Sequence, residues 1–125
     1  MTNEIEKIIS DMKAKDASVL CREVLSIGDT MDVIRSKWTV EILTAILCGN
    51  VRFKDILSSI SSLSDKVLTD RLRQMVADRL LVKKELYGYP PRVEYEVTEH
   101  GKSLYAIVYS MTEWGQEHRR VMLGT

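Results

Sequence analysis

The sequence lacks the features that mark several classes of protein. Its 125 residues include only two cysteines, Cys21 and Cys48, which are too few for a disulfide framework. No run approaches the roughly 18 apolar residues of a membrane span. The first residues lack the basic-then-apolar order of a signal peptide. We therefore expect a cytoplasmic protein with no membrane partner.

The residue groupings that catalysis and metal binding require are also missing. His100 and His118 lie far apart and have no cysteine or histidine partner at metal-ligand spacing. We find no nucleophile paired with a base, no phosphate loop and no set of carboxylates on one predicted helical face. We therefore expect no metal and no cofactor, and we do not expect an enzyme.

What the chain has is the size of one domain and an uneven distribution of charge. Its length fits the roughly 100–150 residues of a typical domain. The net charge is zero, but residues 52–92 hold 9 basic and 5 acidic groups, whereas 1–51 hold 6 and 8 and 93–125 hold 3 and 5. The middle block therefore carries +4 and each flank −2, which suggests a basic functional centre.

Residues 4–14 are predicted to form a short amphipathic helix, with Asn3 as its N-cap. A helix with one narrow apolar stripe gains little stability by itself, so it must lie against another surface. The stripe consists of four residues at helical spacing, Ile5, Ile8, Ile9 and Met12.

Two glycines are predicted to end helical segments farther along the chain. Gly28 and the two polar residues after it predict a break before the next helix. A new helix is expected to start near Trp38. Its apolar stripe over 42–47 stops at Gly49, which is a C-cap signal.

Residues 52–79 are predicted to form two helices joined by a short polar turn. The apolar residues of 52–60 recur at helical spacing, and a cluster of serines follows them. Ser64 is the predicted N-cap of a second helix over 65–79, where Asp65 favours the first turn through the helix dipole. The second helix has a basic outer face, so the pair describes a helix-turn-helix.

The period of the apolar pattern then changes from helical to alternating. Residues 82–87 and 92–97 are predicted strands, and Gly88–Pro91 is a turn that no helix could pass through. A hairpin directly after a helix-turn-helix describes a winged helix. Thr98 is the predicted N-cap of a last helix so long that it outreaches the core, so part of its apolar stripe would stay exposed in a monomer.

These motifs, in this order and spacing, resemble those of the HxlR-type bacterial transcriptional regulators. The resemblance extends from about Met31 to Gly115. It implies a homodimeric winged-helix repressor or activator, related in shape to MarR and ArsR regulators, that binds an operator with two half-sites. The motifs are Lys37-Trp38, Arg52–Ile56, Leu68–Met75, Pro90–Tyr95, Val97–Gly101 and Trp114-Gly115.

The resemblance also implies a sensing chemistry that this chain only partly matches. Many members of the family respond to aldehydes, quinones, hypochlorite or disulfide stress through a cysteine near the start of the domain. In that pattern a Cys-Pro precedes the Lys-Trp pair by about 13 positions. Here Cys21 lies 17 positions before Trp38 and is followed by Arg22, and Arg35 and Ser36 replace the usual glycines.

We predict an α+β fold, mostly α, with one winged-helix domain over 1–125. It comprises an N-terminal helical extension (1–25), a winged helix-turn-helix core (26–98) and a C-terminal dimerisation helix (99–125). We expect the apolar stripes of the first and last helices to meet across a two-fold axis. The predicted dimer residues are Ile5, Ile8, Ile9, Met12, Ile107, Met111, Trp114 and His118.

The expected partner is double-stranded DNA. If the apolar stripe of 65–79 faces inward, helical geometry aims the opposite face at the major groove, where the N-terminal half of such a helix meets base edges. Asp70 would either orient Arg73 or accept from a cytosine amine. The predicted groove residues are Ser64, Lys66, Thr69, Asp70 and Arg73. The predicted contacts from the preceding helix and the wing are Arg52, Lys54, Lys83, Lys84, Tyr89 and Arg92.

Two alternatives remain open from the sequence. In the first, the protein is a switch that senses an electrophile through Cys21, since a neighbouring cation favours the reactive thiolate, or a small ligand in a cleft lined by Trp38, Trp114 and Tyr105 or Tyr109. Cys48 is expected to be a partly buried, inert thiol. In the second, the winged helix is a protein-interaction module.

Overall fold

The computed structural model describes residues 2–124, which divide into two compact units, with the boundary along the chain between Lys37 and Trp38. The first unit contains helix α1 (Thr2–Ala14) and helix α2 (Ala17–Arg35). The amphipathic N-terminal helix is confirmed, but it already includes Thr2, so the prediction of Asn3 as its N-cap is wrong.

Helix α2 begins at a well-formed cap. The carboxylate of Asp16 accepts hydrogen bonds from the Ser18 hydroxyl (2.6 Å) and from the backbone N–H of Val19 (3.0 Å). These hydrogen bonds stabilise the charged form and lower the pKa of Asp16. These contacts satisfy one of the backbone N–H groups that the start of a helix leaves without a partner.

The predicted break at Gly28 is wrong, because α2 continues through this residue without interruption. A glycine inside a helix costs only about 1 kcal/mol relative to alanine, which neighbouring turns can offset. The polar residues near Gly28 do not break the helix either. The hydroxyls of Ser26 and Thr30 donate to backbone carbonyls one turn back, at 3.2 Å and 3.0 Å, instead of competing for other partners.

The second unit has the predicted order of elements, a helix-turn-helix followed by a hairpin and a long helix. Helices α4 and α5 form the helix-turn-helix, and β1 and β2 pair antiparallel from Leu81↔Val97 to Leu86↔Arg92. The predicted α+β, mostly helical fold is therefore confirmed. The elements are α3 (Thr39–Leu47), α4 (Phe53–Ser59), α5 (Asp65–Ala77), β1 (Leu81–Leu86), β2 (Arg92–Val97) and α6 (Glu99–Leu123).

The core of this unit lies where α3, α4 and α5 meet. Each of these helices turns one apolar stripe inward, and burying a large aliphatic side chain contributes about 1.5–3 kcal/mol. The base of the hairpin and the first turns of α6 close the core. The fully buried side chains are Ile42, Leu43, Ile56, Leu68, Leu72 and Met75.

One set of backbone and side-chain contacts joins the end of α5, the base of the hairpin and the start of α6. The Thr98 hydroxyl donates to the carbonyl of Arg79 (2.7 Å) and accepts from the N–H of Gly101 (2.9 Å). The N–H of Thr98 donates to the carbonyl of Leu80 (3.0 Å). We call these four residues the Thr98 junction. It confirms Thr98 as the N-cap of α6.

Two further hydrogen bonds hold α3 and the segment after it against the rest of the unit. The hydroxyls of Thr44 and Tyr105 lie 2.8 Å apart and connect α3 to α6. Partial burial raises the pKa of Tyr105. The N–H of Tyr95 donates to the carbonyl of Val51 (2.8 Å), so the outer edge of β2 is tied to the loop before α4.

Replacing Gly101 by alanine is expected to destabilise the protein. A Cβ at this position would collide with the Leu80 carbonyl oxygen and lie 2.8 Å from the Val97 side chain. Overpacking of this kind costs about 1–3 kcal/mol, more than the gain in helix propensity of about 1 kcal/mol. Urea unfolding monitored by circular dichroism measures the difference.

Gly28→Ala is the matched control, because Gly28 also lies inside a helix but no atom lies within 4 Å of its added Cβ. We expect this variant to be as stable as the wild type or slightly more stable. Equal unfolding free energies for the Gly101→Ala variant and the wild type would contradict the close packing at the Thr98 junction.

Candidate nucleic-acid interface

Helix α5 presents one polar face to solvent. Leu68, Leu72 and Met75 point into the core and are buried. The residues predicted for the outer face are exposed on the other side of the helix, as the rotation of about 100° per residue requires. The exposed residues are Ser64, Lys66, Thr69, Asp70 and Arg73.

Two hydroxyls of this face already make hydrogen bonds within the helix. The Ser64 oxygen accepts from the N–H of Val67 (3.2 Å), which confirms Ser64 as the N-cap. The Thr69 hydroxyl donates to the carbonyl of Asp65 (2.8 Å). Since its proton is used in this way, Thr69 offers outside groups its methyl and its remaining oxygen lone pairs.

The charged residues of this face are not paired as expected. Asp70 lies 3.7 Å from the Lys66 ammonium one turn earlier, and within residues 2–124 no ion pair joins it to Arg73. An exposed pair of this kind contributes at most about 0.5 kcal/mol. Within residues 2–124, no hydrogen bond or ion pair involves the Arg73 guanidinium. Arg73 therefore keeps its full set of donors for an external acceptor.

A cleft beside α5 brings together residues from the helix-turn-helix and the hairpin. It encloses about 230 Å³ and includes Thr69, Arg73 and Lys83 in its lining. Lys83 reaches it because Lys83 pairs with Tyr95 across the hairpin, and paired residues share a face of the sheet. The other lining residues are Phe53, Leu72, Val76 and Tyr95.

The opposite face of the hairpin carries two of the predicted basic residues. Because side chains alternate along a strand, Lys84 points away from the face of Lys83, and Arg92 lies on the same side as Lys84. Lys84 forms an ion pair with Glu96, and this hydrogen bond lowers the pKa of Glu96. The structure therefore does not place Lys84 and Arg92 with Lys83.

The remaining predicted DNA contacts lie at the start of α4 and at the hairpin tip. Arg52 is the half-buried N-cap residue of α4, and Lys54 is exposed in its first turn. Tyr89 is fully exposed in the turn, and so is Tyr87, which the sequence reasoning did not select. The position of Tyr87 directly before Gly88 could have indicated this exposure, since a residue between a strand and its turn has few neighbours to cover it.

Helix α6 extends its apolar stripe past the core. Leu104 is buried, but Ile107, Met111 and Trp114, farther along the stripe, are 40%, 43% and 67% exposed. Trp114 stacks on His118, with ring centroids 4.7 Å apart. The expected exposure of this stripe in one chain is confirmed. In the first unit the four stripe residues of α1, Ile5, Ile8, Ile9 and Met12, are exposed as well.

The structure bears on two expectations about sensing residues. Cys21 and Cys48 are both free and exposed. The prediction that Cys48 is partly buried is therefore wrong. Cys48 follows the last residue of α3, past the buried stripe. Trp38 lines an open groove with Cys48, and Trp114, Tyr105 and Tyr109 are not among the lining residues of that groove. The aromatic cleft stays a prediction.

None of the helices in the described part of the chain combines the length and the apolar character that crossing a bilayer requires.

Comparison with known proteins identifies related sequences and structures. The HxlR-like helix-turn-helix family model matches residues 33–122. YybR of Bacillus subtilis (strain 168), an uncharacterized HTH-type transcriptional regulator, is 36% identical over 93 residues, which cover 74% of each chain.

Two solved structures share the fold. A chain from Enterococcus faecalis V583, assigned to the MarR family of transcriptional regulators, superimposes with a TM-score of 0.72 at 28% identity and covers 90% of this chain and 96% of its own. The redox regulator HypR in its reduced form gives a TM-score of 0.68 at 33% identity, over 80% of this chain and 99% of HypR.

Proposed function

Because the chain belongs to the HxlR-like helix-turn-helix family, we propose that it acts as a homodimer on a DNA site with two half-sites. The protein is a DNA-binding transcriptional regulator with a winged-helix fold. We propose a role in binding and not in catalysis, and we expect the protein in the cytoplasm, where its DNA target would be.

The exposed outer face of α5 is the observation that carries the proposal. A helix about 10–12 Å wide fits the major groove of B-DNA. Arg73 has no partner among the described residues, and a free guanidinium binds O6 and N7 of guanine through two hydrogen bonds. Thr69 presents its methyl group, which suits contact with a thymine methyl.

Phosphate contacts would hold α5 in register. Lys54 and Arg52 lie at the start of α4, where cations of a helix-turn-helix approach the backbone. On the hairpin, Lys83 is the stronger candidate because it shares the cleft with Arg73. Lys84 and Arg92 stay predicted contacts, but Lys84 must exchange Glu96 for a phosphate.

The exposed stripe of α6 supports the homodimer. The helix has 25 residues and is therefore about 37 Å long. In a single chain the distal part of its apolar stripe is exposed to solvent. A second copy with the same stripe can cover it by two-fold symmetry. The α1 stripe offers a second apolar surface for the same purpose. The two α5 helices would then lie about 34 Å apart, one turn of DNA.

Arg73→Ala is expected to relax sequence preference by about 1–3 kcal/mol, because the variant loses both hydrogen bonds to guanine. Fluorescence anisotropy measures it on the duplex upstream of the protein's own gene and on variants with single base changes. Arg119→Ala, the same loss of charge on the distal part of α6, is the control and should keep the preference. An unchanged binding profile for Arg73→Ala excludes Arg73 from base readout.

Lys83→Ala and Lys84→Ala form a pair that tests which face of the hairpin meets DNA. We expect Lys83→Ala to weaken binding to all sequences alike and to lower the slope of log K against log salt by about one unit. Lys84→Ala should change the slope less, because Glu96 already neutralises Lys84. Titrations at several salt concentrations measure both slopes. A larger change for Lys84→Ala would contradict this assignment.

Met111→Glu is expected to weaken the homodimer by tenfold or more, since an unpaired carboxylate would enter an apolar seam. Gln116→Glu adds the same charge on the opposite side of α6 and should leave the dimer intact. Sedimentation equilibrium measures both. If Met111→Glu assembles like the wild type, the α6 stripe is not the dimer interface.

A second candidate role is redox or electrophile sensing through Cys21. It is supported by the exposure of the Cys21 thiol beside Arg22 and by the similarity to the redox regulator HypR. We expect peroxide or quinone to modify Cys21 and to reduce DNA binding, with Cys21→Ser insensitive and Cys48→Ser still responsive. Mass spectrometry of the thiols with parallel DNA titrations tests it. If Cys21 stays unmodified while DNA binding persists, sensing at Cys21 fails.

The same DNA titrations distinguish the DNA-binding function from the alternative, a winged helix that serves as a protein-interaction module. A winged helix that served only protein contacts would bind the upstream duplex no better than an unrelated duplex at any salt concentration.

A further inference from the structure

The cleft between α5 and the hairpin combines a positive rim with an apolar wall. Arg73 and Lys83 supply two cations, and no acidic residue is among its lining residues. Neither cation forms a hydrogen bond or an ion pair within residues 2–124. The charge of this cleft is therefore complementary to an anion.

The apolar part of the cleft lining is suited to a ring. It is formed by a buried leucine, a half-buried valine and two half-buried aromatic side chains, which offer the faces and edges that aromatic ligands contact. These residues are Leu72, Val76, Phe53 and Tyr95. DNA phosphates need the cations but have no use for such a wall.

The volume limits the size of the ligand. The cleft encloses about 230 Å³, below the roughly 300–1,000 Å³ of sites for drug-sized molecules. A single ring with one carboxylate fits this limit, whereas a nucleotide or a fused ring system does not. A carboxylate can accept charge-assisted hydrogen bonds from a guanidinium and an ammonium together.

We propose that the cleft between α5 and the hairpin binds a small aromatic carboxylate, with the carboxylate at Arg73 and Lys83 and the ring against the apolar wall. The ligand occupies two of the side chains assigned above to DNA. Binding of the carboxylate and of DNA should therefore exclude each other, a consequence that rests on the proposed function. The binding of the carboxylate in the cleft does not depend on the proposed function.

Benzoate is the probe, titrated into the full-length protein without DNA and followed by isothermal calorimetry and by the NMR shifts of aromatic side chains. We expect saturable binding that shifts ring resonances of Phe53 and Tyr95. Benzamide keeps the ring without the charge, and acetate and inorganic phosphate keep the charge without the ring. All three should bind about tenfold or more weakly than benzoate, since each loses one of the two contributions.

Two variants locate the site. Lys83→Ala should weaken benzoate binding about tenfold by removing one charge-assisted hydrogen bond. Val76→Phe should abolish it by filling the cleft, and circular dichroism checks that the variant folds. If Val76→Phe is unfolded, the shifts of Phe53 and Tyr95 in the wild-type protein decide the location. The proposal would be overturned if benzoate binding does not saturate, if benzamide or phosphate binds as tightly as benzoate, or if the NMR shifts are confined to other residues.

A competition experiment separates this proposal from the proposed function. With the upstream duplex bound, benzoate should raise the apparent Kd for DNA in the wild-type protein, whereas benzamide should not. In Val76→Phe, benzoate should leave the apparent Kd unchanged. DNA binding without any benzoate site overturns the ligand proposal alone, and a benzoate site without DNA binding overturns the DNA assignment alone.

Discussion

The hydrogen bonds of the Thr98 hydroxyl are the constraint on which the second unit depends. One oxygen holds the carbonyl of Arg79, where the chain leaves α5, and caps α6 through the N–H of Gly101. Arg79 has a left-handed backbone (φ 62°), which costs a residue other than glycine about 1 kcal/mol or more. The contact to its carbonyl helps to offset that cost. A small shift at this point would move α5, the hairpin and α6 relative to one another.

This constraint explains how a chain without net charge can present a basic surface. The junction fixes the hairpin beside α5, so that Lys83 faces the same cleft as Arg73. Glu85 lies on the same face of the hairpin as Lys83, but it is not among the lining residues of the cleft. The positive rim therefore comes from placing Lys83 of the hairpin beside Arg73 of α5, and not from a separation of charge between the two faces of the sheet.

The sequence was sufficient where a local pattern determines the structure. Ser64 and Thr98 each cap a helix by accepting from a backbone N–H three residues ahead, and both caps were predicted. Prediction failed where the conformation or the exposure of a residue depends on neighbours beyond the local sequence pattern. Gly28 has a weak preference against helix that α2 overrides, and the exposure of Cys48 depends on which neighbours cover the end of α3.

The candidate site divides in the same way. The outer face of α5 follows from helical periodicity, but the cleft requires the hairpin to fold back onto α5, a packing between residues distant in sequence. Once the strand was recognised, the alternation of side chains alone could have predicted that Lys83 and Lys84 lie on opposite faces of the hairpin.

Dimethyl sulfate footprinting of the upstream duplex tests the central claim, that the exposed face of α5 reads the major groove, most directly. The reagent methylates N7 of guanine, which faces that groove. We expect two protected groups of guanines, centred about 10 base pairs apart. A bound duplex in which every guanine N7 stays as reactive as in free DNA would contradict it.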